Sequence, residues 1–218
     1  RMRQLERFAV DVQLGTTATE AMLMADPDAA ILVATGSTPF TQGFYPPRPD
    51  RTSIEGSDRP NVWNVRAALS GALDACGHVA VVDGRGYYQS SDVVEYLGAR
   101  GVRVSAISQT GYFAEGIDRN DRPAFLAAAR QAGVRFLANR VVDAIGERSL
   151  ALTDVLSGEK ETLGDLDAVV LSLGASPNEA LFHALRARRA DVRRIGDCVT
   201  PRGIEHAVYE GHKVGREL

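Results

Sequence analysis

This chain reads as an α/β protein: a Rossmann-like, three-layer nucleotide-binding domain built on a parallel sheet, with a small antiparallel β segment. Three observations predict it. The runs Ala29–Ala34, His78–Asp83 and Ala168–Leu173 are continuously apolar or nearly so, as strands buried on both faces of a parallel sheet are. Residues 78–108 have the order strand, glycine-bearing loop, helix, glycine stop, strand, over about the 30 residues of one βαβ unit. Finally, Ile31-Leu-Val-Ala-Thr-Gly-Ser-Thr-Pro39 is echoed by Val169-Val-Leu-Ser-Leu-Gly-Ala-Ser-Pro177. Each is a buried strand, a small-residue turn and a proline, so each closes one nucleotide-binding unit, and the chain holds two such units.

In chain order, residues 1–8 read as the end of a charged helix, and Val10–Leu14 alternates apolar and polar as a half-buried strand does. Thr19–Met24 is a short helix closed by Asp26-Pro27. Residues 40–61, with Pro46, Pro47, Pro49 and Pro60, form a crossover loop and linker. Val62–Leu73 resumes with a strand or turn and then a helix. Between the strands His78–Asp83 and Val102–Ile107 lies a helix over Asp92–Ala99, stopped by Gly101. A helix over Ala124–Ala132 ends at Gly133. Val134–Leu137, Asp143–Ile145, Ser149–Asp154 and Glu161–Thr162 are short antiparallel strands. The last helix starts near Ile204.

With 218 residues the chain suffices for one large domain or two small ones. Its net charge of −3 gives no basic field for nucleic acid. The local cluster Arg186, Arg188, Arg189, Arg193 and Arg194 reads as a solvated helix end and loop. Two cysteines, Cys76 and Cys198, are too few for a disulfide framework and suit a reducing, cytoplasmic compartment. They are also too few for a Cys-ligated iron–sulfur cluster on this chain. No apolar run approaches the roughly 20 residues that span a bilayer, and no signal peptide is visible. No membrane partner is expected, and a homo-oligomer is compatible with the sequence. The chain opens on Arg1 within an apparent helix and has no initiator Met, which predicts a piece of a longer polypeptide.

The motifs with chemical content are glycine turns. Gly84-Arg-Gly-Tyr-Tyr-Gln-Ser90 follows a strand and opens a helix, the setting of a dinucleotide loop. Its third glycine is replaced by Gln89 or Ser90. The carboxylate that would take a ribose hydroxyl is missing after strand 102–107, which ends at Ser108-Gln109, and no arginine stands there for a 2′-phosphate. The Tyr87-Tyr88 pair is bulky enough to fill part of a pyrophosphate's space. Ala34-Thr35-Gly36 lets backbone approach a ligand at the carboxyl end of a strand. Gly196-Asp197 places a carboxylate on a tight turn just before the helix that begins at Ile204, where it can accept hydroxyl hydrogen bonds beside a positive helix end. His78, His183, His206 and His212 have no metal-ligand spacing. Cys198 has no resolving partner and reads as a small buried residue.

Taken together, these segments resemble the glutathione reductase-like architecture, in which an NAD domain is inserted into an FAD domain. They resemble more closely the carboxyl-terminal half of the NADH:flavin oxidoreductase, or old-yellow-enzyme-like, family. That family includes 2,4-dienoyl-CoA reductase and the trimethylamine, dimethylamine and histamine dehydrogenases. The resemblance rests on Gly196-Asp-Cys-Val-Thr-Pro-Arg202 with Ala207-Val-Tyr-Glu-Gly211, and on Val81-Val-Asp-Gly-Arg-Gly-Tyr-Tyr-Gln89. It implies a partial FAD/ADP-binding domain over 1–60 and 176–218, truncated because its first βαβ unit would lie upstream. It implies an inserted NAD(P)-binding-like domain over 61–175. Ala34, Thr35, Gly36, Gly196, Asp197 and Ile204 would meet FAD or ADP. Gly84, Gly86 and Ser90 would line a second nucleotide site for NAD(P)H, a site that the changes at Gln89 and Gln109 argue against. FMN and a 4Fe-4S cluster would belong to an N-terminal barrel of the same polypeptide. The expected function is electron transfer to or from that barrel in a flavin-dependent oxidoreductase, with no catalytic residue and no metal ligand on this chain. The alternative is a redox-inactive nucleotide-binding or docking module with a degenerate NAD site.

Overall fold

The computed structural model describes residues 2–40 and 42–217. Arg1, the first residue of the expected amino-terminal helix, lies outside them. In chain order the elements are α1 (Met2–Arg7), α2 (Glu20–Leu23), β1 (Leu32–Val33), β2 (Ser37–Pro39), β3 (Val62–Asn64) and α3 (Val65–Ala67). Next come β4 (His78–Asp83), α4 (Tyr88–Gly98), β5 (Arg103–Ser108), α5 (Arg122–Gln131), β6 (Arg135–Leu137), β7 (Arg140–Ile145), β8 (Leu150–Asp154) and β9 (Lys160–Leu163). The chain ends with β10 (Ala168–Ser172), β11 (Ala175–Pro177), α6 (Ala180–Arg186), β12 (Arg193–Arg194) and α7 (Ile204–Val214). Two compact units result: Thr38–Ser176, and the flanking residues to Ser37 and from Pro177. The chain passes from one unit to the other in β2 and β11, which pair as a two-stranded ladder.

The inner unit is a five-stranded sheet in the order β3-β10-β4-β5-β6, parallel throughout. Every residue of β4 and β10 is buried: the apolar runs Val79–Val82 and Ala168–Leu171 require it, and the polar ends His78, Asp83 and Ser172 are buried with them. Strand alternation divides these residues between two cores. Val79, Val81, Val104, Ala106 and Val170 pack with Val93, Val94 and Leu97 of α4 and with Phe125 and Ala129 of α5. Ala80, Val82, Ile107, Val169 and Leu171 face the opposite way, onto Val142, Leu150 and Leu152 of the antiparallel sheet β7-β8-β9. The unit is therefore three-layered, with helices on one face of the sheet and a second sheet on the other. Local chemistry sets the boundaries. The Asn64 side chain accepts the Ala67 N–H at 2.9 Å and starts α3. Gly101 and Gly133, at φ +78° and +74°, end α4 and α5.

Several elements depart from the sequence reading. Val10–Leu14 is irregular and exposed, because no strand pairs with it among the described residues. Residues 135–137 run parallel to β5, not antiparallel to a neighbour, because the α5 crossover returns the chain in its original direction. Helix α4 begins at Tyr88, four residues before Asp92. The ladder of the Ala29–Ala34 run is only Leu32–Val33, paired with Arg193–Arg194. Residues 38–60 pack as part of the inner unit: Tyr45 and Ile54 are buried with the β7–β9 residues, and Arg48 Nη1 donates to Asp143 Oδ1 at 2.7 Å.

In the outer unit β1 and β12 pair in parallel, and Ile31, Val33, Leu185, Val192 and Cys198 form its small core. Helix α6, of which the sequence reading placed only the end near Arg186, contributes Leu185 to that core.

Candidate functional site

Strands β1 and β12 point the same way, so the turns that follow them, 34–36 and 195–197, leave from one carboxyl edge. That edge is where parallel sheets place ligands. Five of the six outer-unit candidates, Ala34, Thr35, Gly36, Gly196 and Asp197, meet there. Asp197 is half-buried. Its Oδ2 accepts from Ser37 Oγ at 3.2 Å and its Oδ1 from the Arg202 N–H at 3.1 Å. A carboxylate has about four acceptor positions, so one on each oxygen remains for a ligand hydroxyl. Ile204 opens α7 with its side chain 81% exposed, an apolar surface beside a helix N-terminus.

The other groups on this edge serve the fold. Thr35 Oγ1 donates to the Asn178 carbonyl, and Asn178 answers with Nδ2 to the Thr35 carbonyl at 3.1 Å and its N–H to the Gly36 carbonyl at 2.9 Å. Cys198 is wholly buried, with its thiol 3.4 Å from the Asn178 carbonyl, and reads as structural. Gly196 has φ +66°, and an added Cβ would lie 3.4 Å from the Ala207 Cβ. Its N–H donates to Glu210 Oε2 at 2.6 Å, so the turn does not offer that N–H to an anion. Glu210 also accepts from Arg202 Nη2, and these two partners, the guanidinium first, hold its carboxyl below the usual range. Sequence reasoning missed Ser37, Asn178, Arg202 and Glu210. Closeness to the glycine turns in sequence hinted at Ser37 and Asn178; Arg202 and Glu210, the latter lying two helical turns into α7, stood only as members of the terminal motif.

At the inner unit's carboxyl edge, the 84–90 loop is closed on itself. Asp83, the last residue of β4, is buried. Its Oδ1 accepts the Arg85 and Gly86 N–H groups at 3.2 and 2.7 Å, and its Oδ2 accepts the Ala114 N–H at 2.8 Å. The Gly86 carbonyl accepts the Gly116 N–H at 2.6 Å. An added Cβ on Gly84 would come within 2.8 Å of Leu173 Cδ2 and 3.5 Å of Tyr45 Cδ2, so this glycine admits protein side chains to the switch point between β4 and β10. Ser90 is buried and bonds the Tyr87 carbonyl at 3.0 Å. Tyr88 bonds Asp121 Oδ2 at 2.8 Å, and the Tyr87 ring lies against Gly116, so both aromatics engage the 115–121 loop. Tyr45, nearly fully buried, has its phenol pushed up to about 12, chiefly by burial.

Among the described residues no His, Cys, Asp and Glu group could hold a metal, and no helix is long and apolar enough to cross a membrane.

No family profile matches the chain. It is 28% identical to bilirubin reductase of Mediterraneibacter gnavus over 99% of its own length and 31% of that protein's. It is 24% identical to N,N-dimethylglycine/sarcosine dehydrogenase of Chromohalobacter salexigens, over 99% of this chain and 35% of that one. Its structure superposes on 6-hydroxypseudooxynicotine amine oxidase from Pseudomonas geniculata N1 with a TM-score of 0.85 and 27% identity, covering 93% of this chain and 31% of the other. The chain thus spans about a third of the length of each of these three proteins.

Proposed function

We propose, since the chain matches the FAD/NAD-binding region of the old-yellow-enzyme-like (NADH:flavin oxidoreductase) family, that it is the dinucleotide-binding region of a longer, cytoplasmic flavin-dependent oxidoreductase. The observation that carries the reading is the alignment: nearly all of this chain corresponds to one third of proteins named as reductase, dehydrogenase and amine oxidase. The outer unit takes FAD or ADP, and the inner unit is the inserted NAD(P)-type domain. The residues at the β1/β12 edge fit such a group because the half-buried Asp197 carboxylate keeps unused acceptor positions. Asp197 accepts hydroxyl hydrogen bonds from the ribose or ribityl chain. Ala34, Thr35 and Gly36 would allow close backbone approach, and the exposed apolar side chain of Ile204 would lie near the isoalloxazine. Bound FAD would supply a two-electron carrier. The barrel of the same polypeptide, with FMN and a 4Fe-4S cluster, would carry the substrate chemistry.

The test is the cofactor content of the full-length protein, read by chromatography after denaturation and by titration with FAD and ADP. Retention or micromolar binding of either supports the assignment. A full-length protein that neither contains nor binds an adenine-bearing cofactor rejects it.

A further inference from the structure

The fold of the inner unit implies NAD(P)H, and the residues present do not fit it. We infer that the phosphate loop of the inner unit is occupied by the chain's own carboxylate, Asp83, so that this unit binds no NAD(P)H.

A dinucleotide loop works by offering backbone N–H groups, beside a helix N-terminus, to the pyrophosphate. Here the Arg85 and Gly86 N–H groups point inward to Asp83 Oδ1, at 3.2 and 2.7 Å. The other carboxylate oxygen takes the Ala114 N–H from the loop after β5, at 2.8 Å. Asp83 therefore does for the loop what a phosphate would do, from the inside, and ties it to the neighbouring loop. The Gly86 carbonyl makes a second tie, accepting the Gly116 N–H at 2.6 Å. A pyrophosphate brought to the same amides would have to displace a buried carboxylate and would meet its charge while doing so.

Two further features close the site. Open α/β sheets bind nucleotides in the crevice where strand order reverses, between β4 and β10 here. Leu173 and Tyr45 reach that point, within 2.8 and 3.5 Å of where a Gly84 Cβ would stand. Where a ribose carboxylate is needed, beyond β5, Ser108 Oγ is instead committed to a local turn with Thr110 and the Tyr112 carbonyl, the latter at 3.0 Å. In the neighbouring 115–122 segment, Arg122 Nη2 donates to the Glu115 and Ile117 carbonyls. Reducing equivalents would then not enter through a nicotinamide held on this unit. The inference does not depend on what the outer unit binds.

Hydrogen–deuterium exchange of the full-length protein, read in peptides covering 84–90 and 110–117, isolates this loop from the outer unit. In the wild type, NADH, NADPH or inorganic pyrophosphate at about 1 mM, enough to reveal even weak binding, leaves exchange in both peptides unchanged. In Asp83→Ser both peptides exchange at least several-fold faster, and pyrophosphate or NADH slows them again. If Asp83→Ser does not fold, Asp83→Asn keeps the volume, removes the charge, and is read the same way. Protection of the wild-type loop by NADH or NADPH overturns the inference. So does a folded variant whose loop exchanges no faster, or one that no anion protects.

Discussion

Replacing Asp197 by Ala in the full-length protein tests the outer site and separates its two roles. Within the chain the carboxylate accepts one hydrogen bond from Ser37 Oγ and one from the Arg202 N–H, at 3.2 and 3.1 Å. Both are long for charged bonds, and the residue is only half-buried, so their loss costs about 1–2 kcal/mol of stability in all. The proposed ligand contact adds a separate term. One charge-assisted hydrogen bond to a ligand hydroxyl is worth roughly 1.5–3 kcal/mol, or about a 10- to 150-fold weaker Kd for the adenine-bearing cofactor. Ser37→Ala is the control, because it removes one internal bond and leaves the carboxylate in place. The assays are urea denaturation for the first term and calorimetric titration with FAD and ADP for the second. Asp197→Ala should lose both stability and affinity, while Ser37→Ala should lose about 1 kcal/mol or less of stability and keep its cofactor. Equal Kd values for wild type and Asp197→Ala, or unchanged cofactor content after gel filtration, would refute the ligand role and leave Asp197 a turn residue.

Other outcomes follow from the packing and the titrating groups. Gly84→Ala would set a Cβ 2.8 Å from Leu173 Cδ2 and 3.3 Å from the Ser172 carbonyl, an overpacking cost of about 1–3 kcal/mol by urea denaturation; measured against Leu173→Ala as the parent, the same substitution should cost less, and a neutral Gly84→Ala would contradict the closed switch point. His78 is buried between the Asp165 carbonyl and Ser105 Oγ, and burial lowers its pKa from 6.5. Its contribution is whole above pH 6.5 and is lost as pH falls toward the folded value, so stability should begin to decline below pH 6.5 in wild type and stay flatter there in His78→Gln. The Tyr45 phenol, raised from 10.0 to about 12, should be the last tyrosine to ionise in an alkaline ultraviolet titration. Its contribution is present below pH 10 and lost as pH rises through about 12, and an ionisation pattern unchanged in Tyr45→Phe would disprove this.

Apolar pattern and glycine placement made much of the fold legible. The runs at 78–83 and 168–172 could be buried only as central strands, and both are. Gly101 and Gly133 marked the ends of α4 and α5 because both need positive φ after a helix. The antiparallel strands of 140–163 were visible in outline, while the direction of 135–137 was not, because alternation is the same in either direction and only the α5 crossover decides it. In the outer unit, Gly196-Asp197 and Ala34-Thr35-Gly36 stood out locally. That Ser37 and Arg202 hold the carboxylate, and that Glu210 takes the Gly196 N–H, depends on contacts from up to 160 residues away.

By itself the sequence determined the parallel-sheet architecture, the two strand–turn–proline closures and the glycine spacing of a dinucleotide loop, because these are properties of short segments. Only the tertiary structure decided what the loop does with its amides. Asp83 looks in sequence like the last residue of a buried strand. Folding brings the Ala114 N–H to its free oxygen and presses Leu173 and Tyr45 onto Gly84, so the loop's amides are met by the chain's own carboxylate. A hydrogen-bond donor is available to a ligand only if nothing nearer claims it, and which groups are nearer is set by the fold.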